Sequence, residues 1–176
     1  VTKTCKDWWE KLRYLIARSC NRTSNWKDDT VLHMALCNPK SQPSLIEYLC
    51  RLNPAARYKL DEGTGALPIH LAYMNWQPEQ YGIGNVRSQE KVLNLLLAGD
   101  FDLVRERCAR GRIPLHHAIL SGKPMSCIEI LLNLDQQTLS VRDPVTNLLP
   151  FQLAAVPRKY DDGNLDMIFT LLTMTP

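Results

Sequence analysis

A cysteine and a histidine four residues apart are the first side chains in the sequence that could carry out a reaction. His33 and Cys37 would share one face of a helix, where an imidazole can deprotonate a thiol and make it a nucleophile. Such a pair also needs a third group to orient the imidazole, and a lone pair usually lacks one. The alternative is a structural role, which we favour because His33 recurs at equivalent positions along the chain.

Neither a metal site nor a phosphate site is predicted. His116 and His117 are adjacent, so their rings would point to different faces of a helix, which argues against zinc. Residues 161–164 have the composition of part of a calcium loop but lack its spaced ligands and terminal Glu. Residues 82–84 neither follow a strand nor complete a phosphate-binding pattern. We therefore expect no catalytic residue, no metal and no cofactor, and a protein that is not an enzyme.

The bulk composition is that of a soluble globular protein. The chain has 176 residues, 45% apolar and 22% charged, and no apolar run approaches the ~18 residues of a membrane span. Its six cysteines include no Cys-x-x-Cys pair, which favours free thiols and an intracellular location, cytoplasmic or nuclear. A net charge of +3 is too small to indicate nucleic-acid binding by itself. Because the chain begins at Val1, we expect a longer native protein.

One six-residue motif occurs four times, at 30–35, 67–72, 113–118 and 149–154, and its second positions are 37, 46 and 36 residues apart. Three copies have Pro at the second position, where its missing N–H and fixed φ suit the first turn of a helix. Three of the four histidines of the chain stand at the fourth position. We predict a structural column, in which each buried imidazole links neighbouring hairpins by hydrogen bonds.

Each motif is preceded by turn residues and followed by a second helical pattern. The residue three positions before the proline column tolerates a left-handed backbone in every copy; these residues are Asp28, Gly65, Gly111 and Asn147. Asp61 and Asp143 lie four residues further upstream, where a carboxylate can close the turn. Apolar pairs spaced i, i+1, i+4, i+5 then form one face of a helix; they are 45–46 with 49–50, 92–93 with 96–97, 127–128 with 131–132, and 167–168 with 171–172.

The repeated unit is therefore turn, helix, loop, helix. A single unit cannot bury its own apolar face, but stacked units form one continuous core. We predict an all-α helical-repeat solenoid of about four helix-turn-helix repeats, covering residues 24–176, with approximate repeats 24–60, 61–106, 107–142 and 143–176. Residues 1–23 have apolar residues at helical spacing and are predicted to form an N-terminal capping helix.

The four motifs resemble the Thr-Pro-Leu-His-x-Ala signature of the ankyrin-repeat family, over roughly residues 24 to 172. The Leu-Pro-Ile-His and Leu-Pro-Phe-Gln-Leu-Ala-Ala variants are similar to a subtype frequent in unicellular algae. The sequence departs from the family at its Thr column, which is kept only as Thr30, and in an insertion at 74–85 that joins the two helices of the second repeat. The resemblance implies an ankyrin-type fold with a concave surface for a partner protein, built from turn tips and first helices.

Carried over column by column, that concave surface takes residues from all four repeats. They are Trp26 and Lys27 in the first, Thr64, Ala66, Met74 and Asn75 in the second, Arg110, Arg112, Leu120 and Ser121 in the third, and Thr146, Leu148 and Val156 in the fourth.

Two further features predict partner contacts. Trp76 and Tyr81 lie in the insertion, and aromatic residues on loops often dominate interfaces; the alternative is that Trp76 folds back over the helices of the second repeat. Four arginines at 105, 107, 110 and 112 are opposed locally only by Glu106, which suits a partner with an acidic surface. Their alternative role is to keep the surface solvated.

We therefore expect a monomeric protein-protein interaction module that binds another protein through its concave face. The main alternative is a structural or regulatory segment of a larger enzyme, kinase or channel whose activity lies elsewhere. No membrane insertion is expected. Binding of nucleic acid is disfavoured because no aromatic residues are interleaved with the arginines.

Overall fold

A computed structural model describes residues 31–61, 63–76, 82, 85–157 and 165–175. Within these ranges every regular element is a helix and no strand is present, so the all-α prediction is confirmed there. The predicted capping helix at 1–23, together with Trp26, Lys27 and Tyr81, lies outside the described residues. In the described part of the chain, no helix combines the length and apolar character needed to cross a bilayer.

The described helices form four hairpins, each with a first and a second helix. The first helices are α1 (Val31–Cys37), α3 (Pro68–Met74), α6 (Pro114–Leu120) and α8 (Pro150–Ala154). The second helices are α2 (Pro43–Leu52), α4 (Val86–Leu97), α7 (Met125–Leu134) and α9 (Leu165–Met174). Three short connectors follow the second helices: a 3₁₀ helix at Pro54–Tyr58, α5 (Phe101–Arg105) and a 3₁₀ helix at Gln136–Ser140.

Proline starts three of the first helices, as the motif predicts. Pro68, Pro114 and Pro150 each occupy the first helical position, after a residue with extended backbone. The proline has no N–H to leave unpaired, and its φ is already that of a helix. The motif therefore fixes where these helices begin.

The hairpins pack in two parallel rows. In the row of first helices, α1 packs on α3, α3 on α6 and α6 on α8. In the row of second helices, α2 packs on α4 and α4 on α7, while α9 packs on α8 of its own hairpin. Apolar side chains such as Ile69, Leu93 and Ile128 fill the space between the rows and are fully buried. Burial against neighbours supplies the core that no single hairpin has.

The turns before the first helices have the left-handed residues predicted for them. The φ angle is +55° at Gly65, +74° at Gly111 and +59° at Asn147, a region that favours Gly and tolerates Asn. Gly65 is constrained a second way, because a Cβ there would lie 3.1 Å from the Cβ of Ala109 in the next turn. The fourth predicted turn residue, Asp28, is outside the described part of the chain.

Aspartate carboxylates close two of these turns. Asp61 accepts a hydrogen bond from the backbone N–H of Thr64, and Asp143 accepts one from the N–H of Thr146. In each case the threonine hydroxyl donates to the same carboxylate oxygen. These contacts confirm the predicted role of the two aspartates and hold the turn tips in place.

Candidate functional site

The repeated histidines connect each first helix to the segment that follows its hairpin. The Nε2 atoms of His33, His70 and His116 lie 2.7, 3.0 and 3.0 Å from the backbone carbonyls of residues 59, 106 and 141. Those carbonyls belong to the connectors that lead into the next turn. The prediction that a column of buried imidazoles links neighbouring hairpins is therefore confirmed for these three repeats.

The second ring nitrogen caps the helix that carries it. The Nδ1 atom of His70 accepts from the N–H of Leu67 at 3.2 Å, and that of His116 accepts from Ile113 at 3.4 Å. A ring that accepts at Nδ1 and bonds a carbonyl at Nε2 must be the neutral Nε2–H tautomer. In the fourth repeat the Oε1 atom of Gln152 accepts from the equivalent N–H, that of Leu149, at 3.0 Å.

Burial keeps the imidazoles of His70, His116 and His117 neutral. Desolvation lowers the pKa of His70 to about 4, against the opposing effect of its bond to the carbonyl of Glu106, and burial lowers the pKa of His116 in the same way. The pKa of His117 is lowered to about 3 by burial and by repulsion from His70 once that ring is protonated in acid. Imidazoles that stay neutral near pH 7 do not change their protonation state there, which favours a structural role.

A different cysteine and histidine meet in the core. The Sγ atom of Cys108 lies 3.4 Å from Nε2 of His117, and both side chains are buried. The ring of His117 packs edge-on against His70, with centroids 5.7 Å apart. Sequence spacing missed this pair because its members lie on a turn and a helix. Among the described residues, no three His, Cys, Asp or Glu side chains are grouped so that they could hold a metal ion.

The turn tips lie side by side along the stack. The tip residues are Thr64, which is half-buried, and Arg110 and Thr146, which are exposed. The backbone N–H of Ala109 donates to the carbonyl of Thr64 at 3.1 Å and so joins two neighbouring tips. The tips of the second and third repeats therefore form a continuous edge rather than separate loops.

A line of apolar side chains follows the far ends of the first helices. Met74, Leu120 and Val156 stand at the same position of three successive repeats, and we call them the apolar stripe. Met74 is half-buried, while Leu120 and Val156 keep 36% and 42% of their surface exposed. Asn75 and Ser121 follow the first two and are half-buried, and the Ser121 hydroxyl donates to the carbonyl of Met74 at 3.4 Å.

Trp76 corrects one prediction. We expected its indole to be available to a partner, but it is fully buried, and its Nε1–H donates to the carbonyl of Ser41 at 2.9 Å. The carbonyl of Trp76 accepts from the Gln89 amide at 3.2 Å and from the buried Lys123 ammonium. The alternative, in which Trp76 folds back over the helices, is the arrangement found. An indole gains most from burial when its single N–H finds an acceptor, as here.

Ala66 and Leu148 are also less exposed to solvent than predicted. Ala66 is fully buried and its carbonyl accepts from the N–H of Asp61 at 2.8 Å, so this residue closes the turn instead of lining a surface. Leu148 is half-buried, and its carbonyl accepts from Asp143 at 2.9 Å in the equivalent place. Both follow the turn tip, where the chain already runs inward toward the first helix.

Arg112 is not a free positive charge. Its side chain is only 14% exposed, and its guanidinium binds both carboxylate oxygens of Asp143. Arg105 likewise bonds Asp135, at 2.5 Å. Counting charges along the sequence found only Glu106 near these arginines, because their acidic partners lie one repeat further on. Of the predicted strip, Arg105, Arg107 and Arg110 are exposed, and Arg110 lies at a turn tip.

No known family model matches the sequence, and no curated protein is significantly similar to it. The arrangement of the side chains must therefore carry the functional argument.

Proposed function

We propose that this chain is a protein-interaction module of the ankyrin-repeat type, which binds a partner protein through the apolar stripe and through the turn tips at the other end of the first helices. The observation that carries the proposal is the apolar stripe itself. Met74, Leu120 and Val156 remain accessible at one position of three successive repeats. Repetition of an exposed apolar residue at one register gives a linear surface that a partner could cover.

The ankyrin-type assignment is supported by the motif and by the packing. Four copies of a Thr-Pro-Leu-His-like segment coincide with first helices or their equivalents, and successive hairpins pack first helix on first helix. The histidine column supports it further, since each imidazole bonds a carbonyl outside its own helix. In such a stack the fold leaves function to the exposed side chains.

The surroundings of the stripe match the usual layout of an interface. Asn75 and Ser121 lie beside the apolar side chains, and Arg110 and Thr146 are exposed at the tips, beyond the opposite ends of the first helices. Interfaces combine an apolar centre with a polar margin, and exposed arginines are favoured there. We infer that the partner presents apolar side chains to Leu120 and Val156 and an acceptor or carboxylate to Arg110.

Site-specific photo-crosslinking tests this proposal. A photoreactive aromatic amino acid at Leu120 is compared with the same amino acid at Glu129, an exposed position on the second helix of the same hairpin. We expect one protein to be captured from native extract at position 120 and not at 129, and its capture to be lost when Val156 is changed to Glu. Identical products at both positions would contradict the proposed surface.

A second candidate function is that of a structural or regulatory segment in a larger protein. It is favoured by α9, where Leu165, Phe169 and Leu172 are 76%, 69% and 50% exposed. At the position of Leu172 the earlier repeats have Cys50, Leu97 and Leu132, which are buried. An immunoblot of cell extract with an antibody against the chain distinguishes the two candidate functions. A native protein much larger than this chain favours the structural or regulatory segment.

A further inference from the structure

Two grooves lie one repeat apart, at the end of the first helices opposite to the apolar stripe. Each has a volume of about 260 to 270 Å³. Leu67, which precedes α3, lines the first groove, and Ile113, which precedes α6, lines the second. Every lining residue of the first groove has its repeat equivalent in the second, so the two grooves are one structural feature with two sets of side chains.

Acidic and apolar side chains line the first groove. Asp100, Asp102 and Glu106 contribute three carboxylates, and Tyr58 and Leu60 form an apolar wall. The Tyr58 hydroxyl donates to Oδ2 of Asp100 at 2.8 Å, which fixes both side chains. Tyr58 and Leu60 are 48% and 54% exposed, and the Arg57 guanidinium lies over one face of the Tyr58 ring, 4.8 Å from its centroid, so Leu60 and the uncovered part of that ring are open to a ligand.

Arginine replaces both wall residues in the second groove. Arg105 stands where the first groove has Tyr58, and Arg107 where it has Leu60. Arg105 donates to Asp135, the equivalent of Asp100, so the same contact is kept with a different donor. Gln137 and Val141 take the places of Asp102 and Glu106, which removes two negative charges.

One segment forms the partition between the two grooves. Residues 100–107 turn Asp102 and Glu106 toward the first groove and Arg105 and Arg107 toward the second. The charge therefore reverses across a single chain segment. A ligand that crosses the partition meets a negative site and then a positive one, and it must carry the opposite order of charges to be accepted.

We propose that the two grooves together bind one extended peptide segment of a partner protein, with a Lys or Arg side chain in the first groove and a Glu or Asp side chain in the second. Neighbouring helices pack about 8–10 Å apart, and an extended chain advances about 3.3 Å per residue. The two charged residues of the peptide should therefore be about three positions apart. This is a second surface, distinct from the apolar stripe.

Titrations with synthetic peptides test the proposal on the full chain. Fluorescently labelled peptides of Ser, Gly and Ala carry one Arg and one Glu about three positions apart, in either order. Comparison peptides carry two Arg, two Glu, or Arg and Glu about seven positions apart. We expect one order of the closely spaced peptide to bind at least about tenfold more tightly than every comparison peptide, and less tightly at high salt. Equal affinities, or no binding at about 1 mM, would overturn the proposal.

Variants with matched controls locate the binding site. Asp102→Asn and Arg107→Gln each remove one exposed charge from one groove, and each should weaken the peptide about fivefold or more. Arg142→Gln is the control for Arg107, because Arg142 makes the same 2.8 Å bond to a turn carbonyl one repeat further on but lines neither groove. Asp166→Asn is the control for Asp102, since both lie in the first turn of a helix.

A charge reversal makes the test independent of any loss of folding. In the double variant Asp102→Arg with Glu106→Arg, the first groove keeps one carboxylate, that of Asp100, against two guanidiniums, which is the charge balance of the second groove, so the peptide with two Glu should become the tightest ligand. If that variant keeps the melting temperature of the parent and still prefers the Arg-Glu peptide, the proposed site is wrong. The side chains of the apolar stripe are unchanged throughout, so this result does not depend on the crosslinking experiment.

Discussion

Arg112 and Asp143 join the third turn to the fourth through a two-pronged ion pair. The Nε–Oδ1 distance is 2.6 Å and the Nη2–Oδ2 distance is 3.0 Å. The same carboxylate holds the N–H and hydroxyl of Thr146, and its side chain is fully buried. Burial would raise the pKa of Asp143, but the bonds from Arg112 and Thr146 together outweigh it and lower that pKa well below its usual range.

Removal of this carboxylate should be costly. Asp143→Ala leaves the mostly buried Arg112 without its partner and opens the fourth turn, so we expect the free energy of unfolding to fall by about 3 kcal/mol. Glu47→Gln is the control, because Lys91, its ion-pair partner, is 58% exposed, and its cost should stay below about 1 kcal/mol. Urea denaturation of both variants measures the difference; similar costs would show that the turn contact is not important for stability.

Mild acid should destabilise the fold through its neutral histidines. The pKa of His70 is about 4 in the folded chain and near 6.5 when unfolded, so the unfolded state binds more protons between these values. Stability should thus be constant above about pH 6.5 and fall by about 3 kcal/mol toward pH 4 from His70 alone. The depressed pKa of Asp143 acts only below about pH 4, where that carboxylate begins to bind protons in the unfolded chain. Urea midpoints measured from about pH 7 to pH 4.5 test this; a flat profile would contradict it.

The glutamine of the fourth repeat suggests a substitution that preserves the column. His116→Gln should keep the acceptor for the N–H of Ile113, as Gln152 does for Leu149, and should cost less than about 1.5 kcal/mol. His116→Leu leaves that N–H and the carbonyl of Val141 without a side-chain partner, and should cost about 2 kcal/mol or more. Thermal melts at neutral pH compare the two. Because Gln does not bind a proton in this pH range, the stability of the Gln variant should fall less than that of the parent between about pH 7 and pH 4.5.

Trp76 and Leu120 should behave in opposite ways. Trp76→Ala empties a fully buried site and frees the carbonyl of Ser41, so we expect a loss of about 3–5 kcal/mol. Leu120→Ser changes a side chain that is 36% exposed and should cost about 1 kcal/mol or less. Chemical denaturation separates stability from binding here: only the serine variant should stay folded, and in a pull-down it should no longer retain the partner identified by crosslinking at position 120.

Periodic patterns predicted most of the fold. Pro68, Pro114 and Pro150 marked the starts of helices, and Gly65, Gly111 and Asn147 have the positive φ expected of them. These features depend on the local backbone, which a short stretch of sequence determines. The imidazole bonds were also predictable, because one residue type recurs at one position of the repeat.

Contacts between repeats were harder to predict. Asp143 lies 31 residues from Arg112, and Asp135 lies 30 residues from Arg105, so a count of neighbouring charges overlooked both pairs. Trp76 stands in an insertion without a periodic pattern, and only its depth in the structure shows that its indole faces inward. The two oppositely charged grooves likewise combine connectors that no local motif relates.

The packing of each first helix on the first helices beside it also bears on how the molecule opens. A stack built from contacts between neighbours loses its order from a weak end inward. The hairpin of α8 and α9 is weakly covered in the described part of the chain, since α9 leaves Phe169 and Leu165 largely exposed. Amide protons of α9 should therefore exchange with solvent sooner than those of α4 or α6. Opening there would leave the apolar stripe intact up to Leu120.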